Sequence, residues 1–101
     1  MCIAFNYSSK REIINTFAKI VKNKKKISED IIKKNLYTND IPDPDILIRT
    51  GNQIRISNFL LWQISYTEIF FIKKLWPDFN IIDLKKIILR FKKIKRNFGS
   101  I

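Results

Sequence analysis

Pro42-Asp43-Pro44-Asp45-Ile46-Leu47-Ile48-Arg49-Thr50-Gly51 is the stretch on which the fold turns. Each proline disfavours helical backbone in the residue before it, so the chain should reach Ile46 already extended. Ile46, Leu47 and Ile48 then form a short unbroken apolar run, the pattern of an interior strand in a parallel sheet. Arg49, Thr50 and Gly51 follow where that strand should end. On its upstream side, Tyr37 to Asp45 is rich in Asn, Asp and Pro and reads as a loop.

Downstream, Ser57 or Asn58 can cap a short helix running through Phe59, Leu60, Leu61, Trp62 and Gln63. Ile69 to Ile72 is a further strand candidate, closed by Lys73 and Lys74, and Trp76-Pro77-Asp78 is a turn. Asn80 can cap a last helix with Leu84, Ile87, Ile88, Phe91 and Ile94 inward and Lys85, Lys86, Lys92, Lys93 and Lys95 outward. Upstream, Met1 to Phe5 reads as a buried strand ending at the polar corner Asn6 to Ser9. Ser9 and Glu12 have the spacing of a capping box. The helix behind it, from Lys10 to Asn23, would turn Ile13, Ile14, Phe17, Ile20 and Val21 inward. Ser28 can cap a shorter helix carrying Ile31, Ile32 and Leu36. The order strand, helices, strand, short helix, strand, helix predicts an α/β fold, an open and mostly parallel sheet flanked by helices. Three strands are a thin sheet, which suggests part of a larger one.

A chain of 101 residues allows one compact domain at most, and 46% hydrophobic residues are enough for a core. Its longest apolar stretches are too short to span a bilayer, and Met1 does not open a signal peptide. The single cysteine, Cys2, excludes an internal disulfide framework, and the absence of histidine excludes histidine triads and histidine–zinc sites. A soluble, intracellular chain is expected. The net charge of +11 invites a nucleic-acid reading. The excess is mostly Lys within a chain dominated by Ile, Lys and Asn, whose codons are all A/T-rich, so compositional drift accounts for it better. The aromatics also lie in apolar patterns rather than in exposed stacking rows, which argues against a nucleic-acid partner.

Chemistry concentrates between Arg49 and Glu68. Ligands of open α/β sheets bind beyond the carboxyl ends of the strands. There Arg49 and Arg55 flank a Gly-containing loop that leads to Ser57 and a candidate helix N-terminus. Two guanidinium groups, a hydroxyl and free helix N–H groups suit phosphate oxygens. Glu68 offers an oxygen that could take Mg²⁺ beside a diphosphate. A plainer reading also stands: surface ion pairs for the arginines, a cap for Ser57 and a solvated carboxylate for Glu68.

Pro42 to Gly51 resembles the PDPDLLIRTGG stretch of the bacterial cis-prenyltransferases, the undecaprenyl diphosphate synthase family. The likeness continues through Arg55-Ile56-Ser57-Asn58-Phe59-Leu60-Leu61-Trp62-Gln63, Tyr66, Glu68 and Leu75-Trp76-Pro77-Asp78-Phe79, in order and without gaps. Asn6-Tyr7 is similar to the family's NYGG corner. The resemblance covers the whole chain but only the C-terminal part of the family's domain, so residues 1–101 are expected to be that part, without the N-terminal catalytic segment. It implies that Arg49, Arg55 and Ser57 hold the diphosphate of isopentenyl diphosphate and that Glu68 helps to bind Mg²⁺. It further implies an allylic co-substrate such as farnesyl diphosphate, a polyprenyl diphosphate carrier lipid as product and a homodimeric enzyme. A cytoplasmic location follows, with peripheral association at the inner face of the membrane through the lipid product left open.

Three departures from the family pattern stand out. The HxMDGNxRWA motif, which carries the catalytic Asp, is absent, so no catalytic residue is assigned in this chain. The two-glycine loop has become Gly51-Asn52, and Ser8, Ser9 and Lys10 replace the corner's Gly-Gly-Arg. The tail reads Arg96-Asn97-Phe98-Gly99 rather than carrying Arg two residues before the Gly. Three function classes follow: a cis-prenyltransferase inactive as this piece alone, a non-catalytic partner subunit of a homologous synthase, and, ranked last, a basic nucleic-acid-binding domain.

Overall fold

The computed structural model describes residues 1–100. The chain divides into two units, Met1–Asp43 with Ile56–Trp62, and Pro44–Arg55 with residues 63–100.

In the first unit, α1 spans Ser9–Lys22 and α2 spans Glu29–Asn35. Ser28 caps α2 as its position predicts, its hydroxyl accepting from the Ile31 N–H at 3.1 Å. Ile20, Ile32 and Leu36 form the core, with Ile31 and Trp62 packed against it. Helix α1 departs from its periodicity. Its cap is Ser8, while Ser9 is already helical and its Oγ accepts from the Leu61 N–H at 2.8 Å. Glu12 does not reach back to close a capping box with Ser9. It is fully buried, accepting from the Tyr37 N–H at 2.8 Å and from the Tyr7 hydroxyl. The buried side of α1 is therefore Ser9, Glu12, Thr16 and Ile20, whereas Ile14 and Val21 are 67% and 70% exposed. Buried polar groups are tolerated when their hydrogen bonds are made, and these are.

The segment from Ser57 to Gln63 is not the expected helix. Ser57, Asn58 and Leu60 have left-handed backbone, φ 53°, 62° and 47°, which a right-handed helix cannot contain. Long-range bonds hold it instead: Asn58 accepts from the Ser9 N–H through its carbonyl and from the Lys10 N–H through Oδ1, both at 3.0 Å. Asn58 Nδ2 also donates to Ser8 Oγ at 2.8 Å. Met1 to Phe5 likewise forms no strand, since no neighbouring strand among the described residues pairs with its backbone.

In the second unit, β1 (Ile46–Arg49) and β2 (Glu68–Phe71) pair in parallel, Ile46 opposite Glu68 and Arg49 opposite Phe71. The ladder extends beyond β1 into the following turn, where the Ile72 N–H reaches Arg49 O at 2.8 Å and the Gly51 N–H reaches Lys74 O at 2.8 Å. Helix α3 spans Ile81–Lys93 and begins with a complete capping box between Asn80 and Asp83. Lys74 and the Asn80 backbone hold the Asp83 carboxyl below its ordinary range. The buried apolar residues are Ile64, Phe70 and Ile87, with the Arg90 guanidinium over the Phe70 ring at 5.2 Å. Trp76–Asp78 is a single 3₁₀ turn. The chain is thus α/β, and among the described residues the parallel sheet has two strands rather than three. Among the described residues no helix is long and apolar enough to cross a membrane.

Candidate functional site

Arg49 is the last residue of β1 and half-buried, at the carboxyl end of the strand where ligands of such sheets collect. The chain leaves it through Gly51 (φ 87°) and Asn52 (φ 59°), two successive left-handed residues. Asn at the second position is among the few side chains that tolerate this backbone. The turn consumes its own donors: the Gly51 N–H goes to Lys74 O and the Asn52 N–H to Ile72 O at 3.0 Å. Neither of these two N–H groups is open to a ligand. Arg55 follows in the same unit and is exposed. Ser57, in the other unit, is exposed and starts no helix, so the expected helix N–H groups are not supplied there.

Glu68 lies elsewhere on the sheet. It opens β2 opposite Ile46, three residues from the level of Arg49, which is about 10 Å along the strand. Side chains alternate between faces, so Glu68 shares a face with Ile46, Ile48 and Phe70, and Arg49 with Leu47, Ile69 and Phe71. Arg49 and Glu68 thus occupy opposite ends and opposite faces, and the sheet does not bring them together.

What surrounds Glu68 is a cluster that the sequence did not reveal. Arg96 donates to Asp45 Oδ1 at 2.7 Å and to the Tyr66 carbonyl at 2.9 Å. Its Nε stands 3.8 Å from Glu68 Oε1, too far for a hydrogen bond, and is buried without another partner. Its guanidinium lies over the rings of Phe91 and Phe98, at 5.2 and 4.4 Å. Gly99, at φ 85°, passes so near that an added Cβ would stand 3.1 Å from the Tyr66 hydroxyl. The only sequence hint was an Arg followed by Phe and Gly in the tail. Among the described residues no group of three or more metal-binding side chains converges. A lone carboxylate still suits Mg²⁺, which takes one or two carboxylates together with substrate phosphates and water. Glu68 offers one such carboxylate, with the Arg96 guanidinium beside it.

In the other unit, the buried Glu12 joins Tyr7 and Tyr37 in a part-buried network. Burial first, and the bond to Glu12 second, push the Tyr7 hydroxyl up to about 12. The sequence reading had Glu12 only as a cap.

A family model described as "Putative undecaprenyl diphosphate synthase" matches residues 1–99. The chain belongs to the undecaprenyl diphosphate synthase family. It is 50% identical to an isoprenyl transferase of Rickettsia typhi over 101 residues, covering 99% of this chain and 45% of the relative. A solved structure described as a probable undecaprenyl diphosphate synthase from Campylobacter jejuni matches 96% of the chain and 46% of its own length. Its TM-score is 0.85 at 38% identity. Lavandulyl diphosphate synthase from Lavandula x intermedia, solved in complex with dimethylallyl diphosphate, matches with TM-score 0.83 and 34% identity over 93% of this chain and 44% of that one. The chain therefore spans less than half the length of these family members.

Proposed function

We propose that this chain contributes the isopentenyl diphosphate side of a cis-prenyltransferase. Such an enzyme joins isopentenyl diphosphate to an allylic diphosphate of farnesyl type and yields a polyprenyl diphosphate. The observation that carries the reading is Arg49 at the carboxyl end of β1, leading through a left-handed turn to a second, exposed guanidinium on Arg55, within a family match over residues 1–99. A guanidinium offers a planar fork of donors that matches diphosphate oxygens, and the net charge of +11 favours anion capture. Arg49 and Arg55, with the Ser57 hydroxyl, would bind the incoming diphosphate and hold its double bond toward the allylic carbon, so their contribution is orientation. Glu68, at the other end and on the other face of the sheet from Arg49, would hold Mg²⁺ apart from that pair, and the ion when bound would supply positive charge to a diphosphate. The chain would form the C-terminal part of the intact domain, in a homodimeric, cytoplasmic enzyme, and the remainder would supply the allylic pocket and the catalytic Asp.

Calorimetric titration of the chain with isopentenyl diphosphate tests the assignment. Each charge-assisted contact contributes about 1.5–3 kcal/mol, so Arg49→Ala and Arg55→Ala should each weaken binding at least ~10-fold. Unchanged affinity in both variants would remove the reading. Incubated alone with radiolabelled isopentenyl diphosphate, farnesyl diphosphate and Mg²⁺, the chain should give no lipid-extractable label.

A further inference from the structure

Helix α1 is apolar on the side that its own unit leaves open. At 3.6 residues per turn, Ile14, Phe17 and Val21 fall within about 60° of one another, on a side turned roughly 150° from the one that carries Glu12 and Thr16. The inner side is closed by hydrogen bonds: Glu12 accepts from the Tyr37 N–H, and Thr16 Oγ1 donates to the Glu12 carbonyl at 2.8 Å. The outer side exposes Ile14 by 67%, Phe17 by 37% and Val21 by 70%, with Ala18 exposed between them. A helix that buries polar groups inward and presents an apolar stripe outward has the pattern of a helix packed between two layers, one of them supplied from elsewhere.

We propose that the Ile14–Phe17–Val21 face is covered in the working protein by an apolar surface of the polypeptide corresponding to the part of its relatives that this chain does not match. The Rickettsia typhi relative is matched over only 45% of its length, so the unmatched part is longer than this chain and large enough to carry such a layer. A second copy fits poorly. The stripe is flanked by the exposed Lys10, Arg11 and Lys22, with Lys24, Lys25 and Lys26 beyond the helix end, and each copy carries a net charge of +11. Pairing two such faces would set like charges against each other. The occupant is therefore an apolar surface with a neutral or acidic rim. The proposal rests on family membership and on the burial pattern of α1, and does not depend on the diphosphate reading of Arg49 and Arg55.

Co-expression tests it, pairing the tagged full chain with the unmatched part of the Rickettsia typhi isoprenyl transferase. A one-to-one complex should co-purify. Ile14→Asp with Val21→Asp should weaken it on the order of 100-fold, since two buried aliphatic side chains are replaced by charges. Ile27→Asp, at an equally apolar position 57% exposed but off the stripe, should change affinity less than about twofold. Far-UV circular dichroism should show the same helix content in all variants, because these side chains are exposed in the chain by itself. Absence of a complex overturns the proposal, as does a complex that the double variant leaves intact or that Ile27→Asp weakens equally. A self-dimer broken by the double variant would overturn it too, by making a second copy the occupant.

Discussion

Replacing Glu12 by alanine should destabilise the chain far more than replacing Ile14, although the hydrophobic pattern of α1 points the other way. Glu12 is fully buried, and its carboxyl accepts from the Tyr37 N–H and the Tyr7 hydroxyl. Glu12→Ala strands both donors in a part-buried setting, and each stranded donor costs about 1–3 kcal/mol. The substitution should therefore cost roughly 3 kcal/mol, or more than ~10 °C in Tm for a chain of this size. Glu12→Gln keeps one acceptor oxygen and should cost about half as much, roughly 1–2 kcal/mol. Ile14→Ala removes a side chain that is 67% exposed and should stay within about 0.5 kcal/mol. Urea unfolding followed by far-UV circular dichroism measures all three. If Ile14→Ala proves the more damaging change, the inward-polar orientation of α1 is wrong, and the network argument falls with it.

Three other outcomes are expected. The Tyr7 hydroxyl, raised from its ordinary value of 10.0 to about 12, prefers its neutral form in the folded chain. Its contribution to stability is therefore complete below pH 10 and lost as pH rises through about 12, and Tyr7→Phe should delete the step near 12 in a tyrosinate absorbance titration. At Asn52 (φ 59°), Asn52→Ala should cost about 1 kcal/mol through left-handed strain, whereas Asn52→Gly should lie within about 0.5 kcal/mol of the parent in urea melts. Arg96→Ala should cost roughly 2–3 kcal/mol by removing the bonds to Asp45 and the Tyr66 carbonyl, and Arg96→Lys should not restore it because the ring stacking is lost. A thermal melt in which Lys fully rescues would refute the stacking role.

The stretch around Pro42–Gly51, the Ser28 cap of α2 and the Asn80–Asp83 box of α3 were legible in the sequence because each is decided within a few residues. A proline restricts its predecessor, and a cap satisfies N–H groups two or three positions ahead, so the local residue types suffice. The family resemblance was likewise a property of consecutive residues, and so the α/β class and the placement of Arg49 at a strand end followed from the chain alone. Tertiary structure decided the rest. Asn58 ties itself to Ser8, 50 positions away, and forces left-handed backbone where a helix was expected. Glu12 is buried because Tyr37, 25 positions on, offers it a donor, and that choice turns Ile14 and Val21 outward. Arg49 and Glu68 look like neighbours in a motif, yet strand register sets them at opposite ends and faces of the sheet. In each case the deciding partner is remote in sequence. Periodicity reports which residues could share a face, and only the long-range hydrogen bonds determine which face is buried.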